Sequence, residues 1–584
     1  MAGNEKLQFR ELVQALVESR DLSALVDRCI EKIAEGVEPG PLLRGVAQMF
    51  GALGAHQDCF EFLILLSRPA SKSSPTLVAI AETCIQIGQS QAAADICDVV
   101  LRVDSSNGSA LLTKGIAVKE LARPHDAAVL LEAARAHEPT NTGATVTLAS
   151  VYKDVMRHAE AIELLLSLEK SGRSTAASRS NLIALLNYHE AETPTALRRR
   201  LESFYGKRIA DKARPRSVIS GRDRDRKLRI GFLSGDFALH PVGLFFKDIF
   251  KHFVEERVES FLFYNASRTD EITVELQRRA NGFFNVSALT DAEVAEKIDD
   301  SRIDILIDLS GHTRGSRLSV LRQRPAKLQG SWLGYCGTTG VPEVDFIIGD
   351  RFVTPPDHDH HFTEHVIRLP GCYLAAEAAT MSSASAFPPK RRGDNFIFGS
   401  FHNINKLNDN IISIWSEILK RTPGSKIVIK TASFHSVSSR NDVLDRFANF
   451  GVAAERVNCL PHLSRKEHFE FIRTVDLVLD AYPYNGVTST FEAIASGIPV
   501  LTLVGDRFVS RNGLSILSNA GLGELACFNA EEYCDKAVDF FYNVDLANNI
   551  YEKTTRARKW SRLFDTTSFS RTSTRYIRRI ALKS

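Results

Sequence analysis

A repeat of about 34 residues in the first third of the chain is the feature that most restricts its fold. The best copy starts at Gly108 and has small and apolar residues at the spacing of two packed helices, followed by a proline: Gly115, Ala127, Leu131, Ala134 and Pro139. About 34 residues after Gly115 and Ala127, the equivalent positions are Ala149 and Ala161. About 34 residues before them, the equivalent positions are Ala81 and Ala93. The register holds for about four copies.

This period is typical of tetratricopeptide repeats, in which each unit is a helical hairpin. Small residues let two helices approach closely, and the apolar face of each hairpin is buried by its neighbour, so the pattern predicts an all-α solenoid over residues 1–200. A nonrepetitive helical bundle is the alternative, because Ala and Leu at helical spacing are common in bundles. No acid, base and nucleophile cluster in this stretch, and we expect it to hold an acceptor polypeptide.

Composition excludes several classes of protein. Lys and Arg (73) nearly balance Asp and Glu (70), and 44% of the 584 residues are hydrophobic, which is typical of a globular chain and not of a polyanion binder. No run reaches the ~18 apolar residues of a membrane span, and the start, MAGNEKLQFRELV, is too polar for a signal peptide. We expect a cytoplasmic protein with reduced thiols, because the nine cysteines are scattered and form no Cys-x-x-Cys pair.

A charged stretch, KARPRSVISGRDRDRK, follows the helical part and predicts a linker over residues 201–227. Its basic residues alternate with Asp223 and Asp225 and are not accompanied by aromatic residues, which favours a solvated connection over a nucleic-acid site.

From residue 228 onward, short apolar runs alternate with helical patterns. The first series is LRIGFLS, SFLFYN, IDILIDLS, DFIIGD and VIRLP, and the second is FIFGSF, KIVIKT, VNCLP, LVLDAY and PVLTLVG. Such runs predict two parallel sheets covered by helices on both faces, and we place the two Rossmann-like lobes at 228–385 and 386–584. Ligands of parallel sheets bind beyond the carboxyl ends of the strands, so we expect a cleft between the lobes.

Distinctive motifs follow these strands. They are, in order, HPVG from His240, GHTRG from Gly311, WLGYCGTTG from Trp332, HNINK from His402, RKEH from Arg465 and NGVTSTFE from Asn485. In this order behind the repeats, they resemble the protein O-linked N-acetylglucosamine transferases and the related SPINDLY-like protein O-fucosyltransferases. The resemblance implies a GT-B fold and inverting transfer of a sugar from a nucleoside diphosphate to Ser or Thr, without a metal or another cofactor.

Cleavage of the donor leaves negative charge on the diphosphate, which fixed positive charge and amide donors stabilise. Lys406 matches the family lysine that contacts the diphosphate and is one predicted catalytic residue. Thr488, Ser489 and Thr490 lead into a helical pattern, where free amides and the helix dipole favour an anion. We expect these residues to bind the donor.

The resemblance assigns the remaining donor-binding residues to the nucleoside and the sugar. Arg465 and His468 match positions that contact the nucleoside, and Glu492 matches an acid at the ribose hydroxyls. Ser489 and Glu492 also have the spacing of a capping box, which is an alternative role for the glutamate. We also expect donor contacts from three residues in the motifs, Gly337, Thr338 and Asn403.

His240 matches the family histidine near the acceptor and the anomeric carbon. An imidazole of ordinary pKa can take the acceptor proton, so His240 is the second predicted catalytic residue, and positioning of the substrate is the alternative role.

The chain departs from the N-acetylglucosamine transferase pattern at Val487, which replaces a histidine, and at Glu492, which replaces an aspartate. UDP-N-acetylglucosamine is the expected donor, and GDP-fucose or another activated sugar is the alternative. A noncatalytic repeat adaptor with a nucleotide-sugar-binding domain is a further alternative. The run Asp357 to His361 has adjacent, poorly spaced ligands, so we predict no metal site there.

Overall fold

The computed structural model describes residues 2–68, 73–206, 226–253, 258–382 and 396–583. The chain forms two compact units, residues 1–174 with 435–439, and residues 175–434 with 440–584. Most of the predicted linker, residues 207–225, and the predicted boundary between the lobes at 385 lie outside the described residues.

The first unit is built from consecutive helical hairpins. Its helices are α1 Ala2–Ser19, α2 Leu22–Ala34, α3 Pro39–Ala52, α4 His56–Leu66, α5 Ser74–Gln86, α6 Ser90–Val103, α7 Gly108–Glu120, α8 Pro124–His137, α9 Thr142–Asp154 and α10 His158–Lys170. Asn107 and Asn141 begin α7 and α9, and each side chain accepts a hydrogen bond from the amide three residues on. Such caps satisfy amides that have no partner in the helix.

The turn inside each hairpin recurs with the period seen in the sequence. A residue with positive φ lies between the two helices of every pair at intervals of about 34 residues: Arg20, Gly54, Gly88, Ala122 and Met156. The predicted period is therefore present along the whole first unit, also where the sequence match is weak. A Cβ on Gly115 would lie 2.7 Å from Cγ of Leu131, so this glycine permits the close approach of α7 and α8.

The second unit begins with two helices that we predicted to belong to the repeats, α11 (Ala176–Leu186) and α12 (Pro194–Tyr205). Asn187, at the end of α11, donates to the Tyr335 hydroxyl (3.0 Å), and Arg507 donates to the carbonyl of Leu186 (2.7 Å). The compact division of the chain thus falls at 174/175, before the predicted domain end at 200, and the start of the predicted linker is the end of α12.

The second unit contains two parallel sheets. The first has the order β3-β2-β1-β4-β5-β6-β7 and the second the order β10-β9-β8-β11-β12-β13. The strands are β1 Leu228–Ser234, β2 Val258–Tyr264, β3 Gly282–Asn285, β4 Ile305–Asp308, β5 Leu328–Ser331, β6 Phe346–Asp350, β7 His365–Leu369, β8 Ile397–Ser400, β9 Lys426–Lys430, β10 Val457–Leu460, β11 Leu477–Leu479, β12 Val500–Leu503 and β13 Ala526–Cys527.

Helices connect these strands. They are α13 Pro241–Phe250, α14 Glu271–Arg279, α15 Asp291–Asp300, α16 Leu318–Arg322, α17 Ala378–Met381, α18 Asp409–Arg421, α19 Val437–Asn449, α20 Arg465–Ile472, α21 Thr488–Ala495, α22 Asn512–Ala520, α23 Ala530–Tyr542, α24 Val544–Trp560 and α25 Thr566–Lys583. The last helix returns to the first lobe, where the Ser570 hydroxyl donates to the Ile249 carbonyl (2.7 Å).

The apolar runs predicted as strands all form strands, and β3, β5 and β13 add to them. These three were missed because β3 is a half-buried edge strand, β5 reads Leu-Gln-Gly-Ser, and β13 has 2 residues. In each sheet the strand order reverses between two neighbours, β1 and β4 in one and β8 and β11 in the other. Ligands of such sheets bind beyond the strand ends at these reversals.

Candidate functional site

A cleft of about 330 Å³ lies between the two lobes of the second unit. The first lobe contributes His240, Phe245 and Cys336 to its walls, and the second contributes Lys406 and Glu492. The cleft lies at the strand ends where the order of each sheet reverses, because His240 follows β1 and Lys406 follows β8.

The Lys406 ammonium lies in this cleft at the end of a short 3₁₀ turn, Ile404–Lys406. Asn403 shapes that turn, since its side chain accepts from the Asn405 amide (3.1 Å) while lining the cleft. Nζ of Lys406 donates to the Asn485 carbonyl (2.6 Å) and stands 4.2 Å from the centre of the Tyr484 ring. The ammonium is thus fixed beside the loop that enters α21.

Burial lowers the pKa of Lys406 to about 8, and the Asp480 carboxylate opposes this shift. The side chain is therefore still protonated at neutral pH. A poorly hydrated ammonium attracts an anion more strongly than one in bulk water does.

The first turn of α21 faces the same cleft. Its N-cap, Val487, provides no side-chain hydrogen bond, so the first amides of the helix have no partner from that residue. Thr488 and Ser489 line the cleft, whereas the Thr490 hydroxyl is buried and donates to the Gly486 carbonyl (3.0 Å). Gly486 is required sterically, because a Cβ there would lie 2.3 Å from Oγ of Ser489.

Glu492 lines the cleft and contacts His468, which is buried and is not part of the cleft wall. Nε2 of His468 lies 3.2 Å from Oε2 of Glu492, and the Glu492 side chain is mostly buried. The carboxylate does not cap α21, so the alternative of a capping box is wrong for Glu492. The other ring nitrogen of His468, Nδ1, is buried and makes no hydrogen bond to the residues that the structure describes.

His240 lies at the first-lobe side of the cleft as the N-cap of α13. Its Nδ1 accepts from the Val242 amide (3.3 Å) and lies 3.5 Å from Oδ1 of Asp236. Burial lowers the pKa of His240, and Asp236 opposes the shift. The ring is neutral at neutral pH, and while Nδ1 accepts from Val242 its proton is on Nε2, from which it can donate to a substrate oxygen.

Three predicted donor residues lie elsewhere. Arg465 is exposed, donates to the Thr380 carbonyl and is not part of the cleft wall. Gly337 and Thr338 line a second, smaller cavity of about 30 Å³. The Thr338 hydroxyl donates to the buried Glu364 carboxylate (2.6 Å), which turns it away from the cleft. The structure does not bring these three residues together with Lys406.

The structure adds residues that sequence reasoning did not assign. Asp480 is fully buried and is not part of the cleft wall, whereas His402, Cys336 and Tyr484 line the cleft. Asp480 had a weak signal, because it directly follows the apolar run of β11. In the parts of the chain that the structure describes, no group of three or more His, Cys, Asp or Glu residues is placed to hold a metal ion, including Asp357 to His361.

Residues 210–386 and 389–572 of this chain match the sequence profile of glycosyl transferase family 41. The chain belongs to glycosyl transferase family 41. A solved O-GlcNAc transferase of Thermobaculum terrenum, in a mutant form, matches this family 41 member with a TM-score of 0.78 and 27% identity, over 87% of this chain and 97% of that one. The predicted family and the GT-B architecture preceded by helical repeats are thus confirmed.

Two plant relatives resemble more than half of this family 41 member. SPINDLY of Arabidopsis thaliana, named as a probable UDP-N-acetylglucosamine–peptide N-acetylglucosaminyltransferase, is 30% identical over 328 residues, or 55% of this chain. SEC of the same plant, with the same description, is 30% identical over 352 residues, or 58% of this chain. The match covers 36% of the length of each of these relatives. Among the described residues of this chain, no helix is long and apolar enough to cross a bilayer.

Proposed function

We propose that this protein is an inverting, metal-independent protein O-glycosyltransferase that moves a sugar from a nucleoside diphosphate to Ser or Thr of an acceptor protein. One observation carries the proposal: the Lys406 ammonium and the first turn of α21 meet in one cleft, at the reversal of strand order in the second sheet. A fixed cation and free helix amides are what a departing diphosphate requires.

UDP-N-acetylglucosamine is the proposed donor. The names of the two plant relatives refer to this donor, and the bacterial structure is that of an O-GlcNAc transferase. In this assignment Glu492 accepts the ribose hydroxyls beside His468, and α21 and Lys406 bind the diphosphate. GDP-fucose is the second candidate, because Val487 and Glu492 depart from the N-acetylglucosamine transferase pattern, and Glu492 is closer to the SPINDLY-like one.

His240 acts on the acceptor side in this proposal. The neutral imidazole has its Nδ1 held by the Val242 amide, so it positions the substrate by donation from Nε2. His240 acts as a base only in the other tautomer. In that form the Nδ1–H points to Asp236, 3.5 Å away, and Nε2 is free to accept a proton. The helical repeats hold the acceptor protein, and the reaction takes place in the cytoplasm.

The test is release of nucleotide from purified protein given UDP-N-acetylglucosamine or GDP-fucose, with and without a cell lysate as the source of acceptors. We expect UDP release that falls about 100-fold or more in Lys406→Met, as for loss of a main charge-stabilising group. The matched control is Lys420→Met, since Lys420 is an exposed lysine of α18. Release from GDP-fucose alone reassigns the donor, and nucleotide binding without release from either donor supports the adaptor and refutes the enzyme.

A further inference from the structure

A buried carboxylate lies directly below the proposed diphosphate site. Asp480 follows β11, and its side chain is 0% exposed. Its Oδ1 accepts from the amides of Ala481 (2.9 Å) and Gly486 (2.7 Å), and its Oδ2 accepts from the Thr502 hydroxyl (2.6 Å). Asp480 therefore ties together both ends of the loop 481–486, which leads to α21.

The same carboxylate influences Lys406, whose ammonium donates to the Asn485 carbonyl within this loop (2.6 Å). Burial disfavours the charged form of an ammonium in this position and lowers its pKa, and Asp480 is the largest influence that opposes this shift. Three other titratable groups beside Lys406 in the described part of the chain, Cys336, Tyr484 and His402, carry no charge at neutral pH. Burial raises the pKa of the Cys336 thiol and of the Tyr484 hydroxyl, and it lowers the pKa of His402 to about 3.

His402 lies between Asp480 and the start of α21. Its Nε2 lies 3.2 Å from Oδ1 of Asp480, and its Nδ1 lies 3.1 Å from Oγ of Ser489. The order carboxylate, imidazole, hydroxyl is that of a hydrolytic triad. An imidazole with a pKa of about 3 is a weak base, however, so this group does not activate Ser489. Because His402 stays neutral, it does not cancel the charge of Asp480.

We propose that Asp480 is a positioning residue of the donor site, which keeps the Lys406 ammonium charged and holds the loop 481–486 in place below the diphosphate. Lys406 is the group that touches the donor, and Asp480 acts through it. The part of this inference that concerns the diphosphate rests on the proposed function. The part that concerns the charge of Lys406 does not.

The substitution that tests this is Asp480→Asn. Asparagine keeps an oxygen for the amides of Ala481 and Gly486, and its NH₂ can donate to the Thr502 oxygen, so the loop retains its hydrogen bonds while the charge is lost. The matched control is Asp350→Asn. Asp350 is another fully buried carboxylate, at the end of β6, that accepts from the Ser515 hydroxyl and the Tyr373 amide, and it is not among the groups that influence Lys406.

Two measurements separate this inference from the proposed function. The first is the pH dependence of Lys406 labelling by a small amine-reactive reagent, read by mass spectrometry. We expect a midpoint near pH 8 in the unchanged protein, and a midpoint lower by about one unit or more in Asp480→Asn, because removal of a nearby opposite charge favours the neutral amine. Asp350→Asn leaves the midpoint at its original value.

The second measurement is UDP affinity between pH 6 and pH 9, which we expect to decline at a lower pH in Asp480→Asn than in the unchanged protein. A folded Asp480→Asn protein with an unchanged labelling midpoint overturns the inference. If that variant does not fold, a midpoint clearly below pH 7 in the unchanged protein overturns it equally, since Asp480 would not be keeping Lys406 charged. If UDP does not bind at all, the proposed function fails, and the labelling still decides the role of Asp480.

Discussion

Nε2 of His468 lies 3.2 Å from Oε2 of Glu492, across the gap between α20 and α21. This contact turns the glutamate away from the start of its own helix and towards the wall of the cleft. The other carboxylate oxygen, Oε1, is not part of this contact and is the atom that we expect to accept from the donor.

Glu492→Gln is expected to weaken nucleotide binding by about 10-fold or more, because hydrogen bonds to a charged group contribute about 1.5–3 kcal/mol. The loss concerns the ribose, so it should appear mainly in the KM for the donor, with a smaller change in kcat. The measurement is UDP titration together with initial rates. Glu470→Gln, which changes an exposed glutamate of α20, is the control. Unchanged UDP affinity in Glu492→Gln argues against a ribose contact.

Gly486→Ala tests whether the close packing at the start of α21 matters for the site. The added Cβ would lie 2.3 Å from Oγ of Ser489 and 2.5 Å from Cε1 of His402, so the loop and the helix start must move. We expect the free energy of unfolding to fall by about 1–3 kcal/mol. We also expect UDP to bind more weakly to the protein that remains folded.

The control for this change is Gly371→Ala, where the nearest atom to a Cβ is Oδ1 of Asn519 at 3.7 Å. That substitution should leave UDP affinity as it is. If Gly486→Ala binds UDP as tightly as the unchanged protein, the amides of α21 do not form the anion site.

Sequence patterns predicted the architecture well because they report local periodicity. The apolar runs became strands, and the repeat period appears in the turns at Gly88, Ala122 and Met156. Lys406 and the start of α21 were also predicted together, since both follow strands that are neighbours in a parallel sheet.

What the sequence did not reveal depends on side-chain direction and long-range contact. Thr338 stands in a glycine-rich motif that suggested donor binding, yet its hydroxyl points to Glu364, which no local pattern indicates. The electrostatic influence of Asp480 on Lys406 connects residues that are far apart in the chain. α11 has the spacing of a repeat helix, but hydrogen bonds such as that from Asn187 to Tyr335 connect it to the α/β body.

Because α11 and α12 belong to the second unit, the chain can be shortened before α11. Removal of residues 1–174 leaves α11 with its N-cap Thr175, whose side chain accepts from the Ser178 amide. We expect this protein to fold and bind UDP like the full chain while it loses most transfer to a folded acceptor protein. Thermal unfolding, UDP titration and transfer assays are the measurements.

Removal of residues 1–205 is the informative comparison. It leaves the Tyr335 hydroxyl without its donor Asn187 and the Arg507 guanidinium without the carbonyls of Leu186 and His189. Buried polar groups without partners cost about 1–3 kcal/mol each, so we expect a lower Tm or aggregation. Equal stability of the two shortened proteins contradicts the assignment of α11 and α12 to the second unit.

Gly115→Ala probes the packing of the first unit. The new Cβ would lie 2.7 Å from Cγ and 2.8 Å from Cδ2 of Leu131, and both residues are buried between α7 and α8. We expect a destabilisation of about 1–3 kcal/mol, typical of an overpacked core. Leu131→Ala alone destabilises through a cavity, whereas the double substitution should cost less than the sum of the two. Urea unfolding of the four proteins gives this coupling, and strictly additive losses would show that the two side chains do not compete for the same space.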